Sequence, residues 1–134
     1  MKITICSSAV FFNTLNDIKK ELEIKGFEVF LPNMRDWGEE DAAAKVHHDL
    51  IRAHFKKIDQ SDAIYVANYD KKGISGYIGG NTFLEMGKAY DKGIPIFLMK
   101  DIPDLNYKDE LIALQPIIIG ENWSDLHTHL LENE

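Results

Sequence analysis

The sequence has one cysteine, Cys6, and it lacks both a long apolar run and an excess of basic residues. A single cysteine cannot form a disulfide within the chain, which is typical of proteins from a reducing compartment. The longest apolar runs, 94–99 and 116–119, are far shorter than the roughly 20 residues that a membrane helix needs. We therefore expect a cytoplasmic protein with no membrane-spanning segment.

Basic residues are in the minority, with 15 Lys and Arg against 22 Asp and Glu, and the formal net charge is −7. A protein that binds the backbone of DNA or RNA needs clustered positive charge to replace counterions, so we exclude a nucleic-acid polymer as partner. A small anion is still compatible with this charge, because a few N–H groups at the start of a helix bind one phosphate. The charge thus favours a small-molecule partner.

The length of 134 residues allows one domain with a buried core and is too short for two typical domains. Hydrophobic residues make up 45% and charged residues 28%, which is the balance of a globular protein. We therefore predict that residues 1–134 form a single domain with one site.

Short apolar segments alternate with amphipathic ones along the chain. Strands are predicted at 2–6, 27–32, 63–67, 94–99 and 116–120. Helices are predicted at 11–26, 41–60, 82–92 and 122–134, with a short helix before the fifth strand. This alternation predicts a doubly wound α/β fold, in which a parallel sheet has helices on both faces.

The predicted strand order locates a site. Five parallel strands of the flavodoxin-like or Rossmann-like kind commonly take the order 2-1-3-4-5, and ligands bind beyond their carboxyl ends where the order reverses. This point lies between strands 1 and 3, so the loops 7–12 and 68–80 and the start of the next helix are predicted to meet there.

The stretch 76–93, GYIGGNTFLEMGKAYDKG, carries the first candidate for chemistry. Gly79 and Gly80 let the backbone approach a ligand, and the helix that follows presents unpaired N–H groups and the positive end of its dipole. That dipole favours the ionised form of Glu85, the form that a nucleophile or base needs. However, Thr82 and Glu85 also fit a capping box, T-x-x-E, so the spacing leaves both interpretations open.

Asp70 follows the third predicted strand in the motif N-Y-D and comes to the same end of the sheet. Two carboxylates beside a sugar can cleave a glycosidic bond through a covalent intermediate. The alternative is a loop aspartate that accepts hydrogen bonds from nearby N–H groups. Four aromatic residues near this point could hold a planar base or a sugar ring, or serve only in packing: Phe11, Phe12, Tyr69 and Tyr77.

Histidine and cysteine give weaker signals. His47 and His48 are adjacent, so they diverge by about 100° on a helix, and neither has a metal-ligating residue four positions later. Cys6 is expected to be a buried strand end and not a nucleophile, because no histidine is predictably beside it. We predict neither a metal nor a cofactor.

With these motifs in place, the sequence resembles the nucleoside 2-deoxyribosyltransferase family, including relatives that hydrolyse deoxynucleoside 5′-monophosphates. The resemblance is strongest in DAIYVANYD at 62–70, TFLEMGKAY at 82–90 and KGIP at 92–95, and it covers most of the chain. It implies a homo-oligomeric enzyme in which Glu85 attacks the anomeric carbon of deoxyribose and forms a glycosyl-enzyme ester. It also implies that Asp70 supports the nucleophile or the sugar hydroxyls.

The same resemblance implies a set of substrate-binding residues: Ser7, Ser8, Phe12, His48, Asn68, Gly79, Gly80, Asn81 and Thr82. Where the transferases have D-S-G, this chain has G-G-N at 79–81, so it lacks the aspartate associated with protonating or orienting the base. This departure favours hydrolysis over base exchange, with a nucleoside or nucleotide as substrate.

Two other functions stay open at this point. One is a nucleotide-binding module that does no chemistry, which the missing aspartate suggests. The other is a phosphoribohydrolase of the lonely-guy kind, whose turn P-G-G-x-G-T-x-x-E shares its two glycines, threonine and glutamate with Gly79, Gly80, Thr82 and Glu85. This chain lacks the proline and the third glycine of that turn.

Overall fold

A computed structural model of the chain describes residues 1–32, 46 and 49–132. The described residues form a five-stranded sheet in the order β2-β1-β3-β4-β5, and every pair of neighbouring strands is parallel. The strands are β1 (Lys2–Cys6), β2 (Glu28–Phe30), β3 (Ala63–Val66), β4 (Ile96–Leu98) and β5 (Ile117–Ile118). Each strand lies within its predicted segment, and the predicted fold class and strand order are confirmed.

Helices cover both faces of the sheet. They are α1 (Phe12–Ile24), preceded by a 3-10 turn (Ala9–Phe11), α2 (Leu50–Asp59), α3 (Gly80–Lys92), α4 (Lys108–Ala113) and α5 (Trp123–Glu132). Buried apolar side chains of α1 and α5 form one core cluster, and those of α2, α3 and α4 form a second. Successive residues of β3 divide between the clusters, because side chains along a strand alternate between its faces. Among the described residues, no helix is both long enough and apolar enough to span a bilayer.

The helix predicted at 41–60 is wrong in one respect, because it is not continuous. Asp49 has a φ of 52°, a left-handed conformation that an α-helix does not contain, and α2 begins at the next residue. Val46 is helical, and the rest of the predicted segment before Asp49 lies outside the described residues.

The ends of β1 and β3 lie side by side, with Cys6 opposite Val66. Because β2 flanks β1 and β4 flanks β3, the strand order reverses between them, and the loops that follow these two strands meet. The hydroxyl of Ser7 donates a hydrogen bond of 2.7 Å to the carbonyl of Ala67, which joins the starts of the two loops. The fold therefore brings together the segments in which a site was predicted.

Candidate active site

A crevice of about 220 Å³ lies at the carboxyl ends of β1 and β3. Its walls come from the loops after these two strands, from the start of α3 and from one side of α2. The volume is slightly below the range of roughly 300 to 1,000 Å³ that is typical of small-molecule pockets. The position of the crevice suits a small ligand.

Most residues that were predicted to bind substrate line this crevice. They are Ser7, Ser8, Asn68, Gly79, Gly80, Asn81 and Thr82, together with the predicted nucleophile Glu85. Phe12, the first residue of α1, is not among the lining residues. Its neighbour Phe11 lines the crevice instead. Phe11 packs against Tyr69, which also lines the crevice, with ring centroids 4.9 Å apart. His48 lies outside the described residues.

The start of α3 tests the capping-box interpretation of Glu85. Gly79 is the N-cap, and Phe83 N–H donates the first helical hydrogen bond to its carbonyl at 2.9 Å. Thr82 is therefore the third residue of the helix, and the capping-box interpretation is wrong. The helix begins earlier than predicted, with Gly79 as an extended N-cap that has no side-chain cap hydrogen bond. The first N–H groups of α3 consequently lie at the crevice wall.

Glu85 lines the crevice, and only 4% of the residue is exposed. Its Oε2 is 3.4 Å from Nε2 of His54, a side chain that reaches in from α2. The same Nε2 is 3.8 Å from Sγ of Cys6, at the end of β1. A carboxylate, an imidazole and a thiol from three different elements thus converge on one buried point.

Burial determines whether the side chains of His54 and Cys6 carry a proton. Burial lowers the pKa of His54 to about 4, and the positive charge of Lys57 contributes to this shift, so the imidazole is neutral at neutral pH. Burial also raises the pKa of the Cys6 thiol, and the negative charge of Glu85 and a hydrogen bond to its carboxylate raise it further. The thiol is therefore protonated next to Glu85.

Cys6 is a buried strand end, as the sequence predicted, but the reason given was wrong, because a histidine does lie beside it. Sequence reasoning missed His54 altogether. A signal was available, since Leu50, His54 and Ile58 are spaced by four residues and so share one side of α2. A histidine on the inward stripe of an amphipathic helix indicates a buried polar contact.

Asp70, the second carboxylate of the predicted pair, is not among the residues that line the crevice. Its Oδ1 accepts hydrogen bonds of 2.9 Å from the backbone N–H of Gly76 and from Nζ of Lys100. These two bonds lower the pKa of Asp70, and the side chain is 59% exposed. The contacts match the alternative of a loop aspartate, and the group that lies beside Glu85 is His54.

We expect Asp70→Asn to lower kcat/KM for the substrate by less than about tenfold, because an exposed carboxylate that holds a loop contributes little to a barrier. Steady-state kinetics of the purified variant would measure this. Lys100→Met, which removes the partner of the same ion pair, should have an equally small effect. A loss of more than about a hundredfold in Asp70→Asn alone would return Asp70 to a direct catalytic role.

Asn68 shapes the crevice through its buried amide. Its Oδ1 accepts a hydrogen bond of 2.8 Å from Lys100 N–H, and its Nδ2 donates to the carbonyls of Lys100 and Gly76 at 3.1 and 3.2 Å. Gly76 has a φ of 66°, and a Cβ there would lie only 2.8 Å from the carbonyl oxygen of Asp101. The loop between β3 and α3 is therefore fixed to the end of β4.

The ammonium group of Lys71 also lies at the crevice. Lys71 is a lining residue that sequence reasoning did not single out, and its Nζ donates a hydrogen bond of 3.1 Å to the hydroxyl of Ser8. An ammonium, a hydroxyl and the first N–H groups of α3 are all suited to an anionic group.

Neither a protein-family model nor a curated protein sequence matches the chain. Solved structures do match it. A 2-deoxyribosyltransferase from Bacillus psychrosaccharolyticus is similar with a TM-score of 0.56 and 23% identity, over 94% of this chain and 90% of that chain. A CMP N-glycosidase from Clostridium botulinum is similar with a TM-score of 0.51 and 15% identity, over 89% and 86% of the two chains.

A conserved protein from Enterococcus faecalis V583 is similar with a TM-score of 0.58 and 17% identity, over 100% of this chain and 99% of that chain. At these identities the likeness shows a shared fold. The resemblance stated from the sequence is confirmed at this level, because a 2-deoxyribosyltransferase and an N-glycosidase are both among the structures with this fold.

Proposed function

We propose that the protein cleaves or transfers the N-glycosidic bond of a nucleoside or nucleotide, with Glu85 as the nucleophile. The observation that carries this proposal is the position of Glu85, a buried carboxylate on the wall of a crevice at the point where the strand order reverses. The fold shared with a 2-deoxyribosyltransferase and a CMP N-glycosidase supports it.

The reaction needs two displacements at one carbon. A carboxylate oxygen of Glu85 attacks the anomeric carbon, the bond from that carbon to the base breaks, and the base leaves with the electron pair and takes up a proton. Water then attacks the same carbon, the ester bond to Glu85 breaks, and a water proton passes to solvent. These are the steps of retaining glycoside cleavage. If a second base replaces water, the product is a new nucleoside.

His54 supports the nucleophile in this scheme. Because its imidazole is neutral, it adds no positive charge beside Glu85 while its Nε2 contacts Oε2 at 3.4 Å. A fixed carboxylate loses less entropy when it reaches the attacking geometry. We therefore assign His54 a positioning role.

The substrate that we propose is a deoxynucleoside 5′-monophosphate. Lys71, Ser8 and the first N–H groups of α3 line the crevice and match the charge and oxygen acceptors of one phosphate. Hydrolysis is favoured over exchange, because the stretch G-G-N at 79–81 supplies no carboxylate to protonate or orient a base. Aromatic side chains of Phe11, Tyr69 and Tyr77 are available for the base or the sugar.

Chromatography of reaction mixtures tests this function. We expect free base from at least one deoxynucleoside 5′-monophosphate, released faster than from the matching nucleoside. Each of the deoxyribose compounds should be run beside its ribose counterpart, and cleavage of ribose monophosphates alone would favour the lonely-guy kind of reaction. Formation of a new nucleoside when a second base is added would show exchange. No base release from any compound would contradict the proposal.

A nucleotide-binding module without chemistry is the second candidate, and the absence of a carboxylate at 79–81 favours it. Calorimetry separates the two. Binding of a monophosphate without product, retained in Glu85→Gln, would support the module, whereas binding accompanied by release of base would exclude it.

A further inference from the structure

We propose that Cys6, His54 and Glu85 form a binding site for one thiophilic divalent cation of the Zn²⁺ type, and that the bound ion blocks Glu85. The binding itself does not depend on the proposed function. The inhibition rests on it, because only a catalytic Glu85 gives the ion something to block.

The spacing of the three ligand atoms fits a tetrahedral ion. The thiol sulfur, an imidazole nitrogen and a carboxylate oxygen all lie within 4.8 Å of one another. Bonds of about 2.3 Å to sulfur and about 2.0 to 2.1 Å to nitrogen or oxygen give tetrahedral edges of roughly 3.4 to 3.6 Å. Two of the three observed edges are 3.4 Å from His54 to Glu85 and 3.8 Å from Cys6 to His54, and the third, from Cys6 to Glu85, is no longer than 4.8 Å. Adjustments of this size are within reach of side-chain rotation.

The chemistry of the ligands selects the ion. A thiolate and an imidazole suit zinc and its transition-metal neighbours, whereas magnesium and calcium prefer sites made only of oxygen atoms. On binding, the Cys6 thiol gives its proton to solvent and the sulfur forms a bond to the metal. One thiolate and one carboxylate then balance the two positive charges of the ion, so the occupied cluster carries no net charge in its buried position.

The crevice gives the ion a route to the site. Glu85 and His54 both line it, whereas Cys6 is a fully buried residue at the end of β1 that does not line it. An ion held by these three groups keeps a fourth position, which water from the crevice can occupy. The same ion occupies the carboxylate that would otherwise attack the substrate.

Cobalt is the direct probe of the site, because Co²⁺ replaces Zn²⁺ and a cobalt–thiolate bond absorbs in the near ultraviolet. Titration of chelator-treated protein with Co²⁺ should give this band, saturating at one ion per chain, and Zn²⁺ should abolish it. Cys6→Ser should remove the band, and His127→Ala, which changes an exposed histidine, should keep it. Absence of the band in the wild type, or its persistence in Cys6→Ser, would overturn the site.

The inhibition is measured by release of base. Zn²⁺ at about one equivalent should stop turnover in the wild type and in His127→Ala, while Cys6→Ala, compared with its own metal-free rate, should need at least about tenfold more Zn²⁺ for the same fractional inhibition. Circular dichroism of Cys6→Ala and Cys6→Ser checks that the fold is kept. Equal inhibition of wild type and Cys6→Ala would overturn the blocking role. A cobalt band without any base release would keep the metal site and reject the proposed function.

Discussion

Replacement of Glu85 by glutamine is expected to reduce the release of base by a factor on the order of 10³ or more while the protein keeps its fold. Glutamine has nearly the same shape and can retain the contact with His54, so packing around α3 should be preserved. It has no negative oxygen that could form an ester with the sugar. The rate should be measured by chromatography at saturating substrate, and the fold by circular dichroism.

Asp91→Asn is the matched control, because Asp91 is an exposed acidic residue of the same helix, and its rate should equal that of the wild type. Mass spectrometry of rapidly quenched wild-type mixtures should find a sugar adduct on the peptide that contains Glu85, and this adduct should be missing in Glu85→Gln. If the variant turned over within about tenfold of the wild type, Glu85 would not be the nucleophile.

The second large effect concerns stability. Asn68→Ala removes an amide that accepts one hydrogen bond and donates at least two between the loop after β3 and the end of β4. A buried polar group that loses its partner costs about 1 to 3 kcal/mol, so the free energy of unfolding should fall by roughly 2 to 4 kcal/mol. Urea denaturation would measure this fall. Turnover should fall as well, because the same loop forms a wall of the crevice.

Asn13→Ala changes an exposed amide in α1 and should alter stability by less than about 0.5 kcal/mol, which makes it the control. Asn68→Asp keeps an acceptor for Lys100 N–H but places a carboxylate oxygen against the carbonyls of Lys100 and Gly76, so its stability should fall at least as far as that of Asn68→Ala. A fall below about 1 kcal/mol in Asn68→Ala would show that the amide does not fasten the loop.

The sheet and the position of the crevice could be predicted because they depend on long segments. Five apolar runs separated by helices leave few ways to cover a parallel sheet, and the reversal of strand order then decides where loops meet. Errors of two residues at the end of a strand, as at 94–99 against Ile96–Leu98, do not change this outcome. The glycine turn and Glu85 follow directly, since they lie next to the end of β3 in the chain.

Details that depend on one residue were harder to predict. Gly79 and Thr82 are both reasonable starts for α3, and the N-cap preferences of glycine and threonine differ by only about a few tenths of a kcal/mol, so the sequence alone does not select between them. Asp49 interrupts the predicted long helix although its neighbours fit a helical pattern.

Contacts between segments that are far apart in the sequence were the hardest features to predict. Asp70 is close to the site along the chain, yet hydrogen bonds to Gly76 and Lys100 hold its carboxylate outside the crevice lining. His54 is 31 positions from Glu85 by their residue numbers and reaches it only because α2 packs against α3. A pattern of neighbouring residues in the sequence does not predict such a contact, because the contact depends on how two helices pack on the sheet.

The edges of the sheet have a consequence for handling the protein in solution. The outer strands β2 and β5 are only three and two residues long. A short edge offers another chain few unpaired N–H and C=O groups, which limits amyloid-like addition of strands. If copies of the chain associate, we expect the contacts to involve side chains of the helices and not an extended sheet. Concentrated samples should accordingly resist fibril formation while the fold is intact.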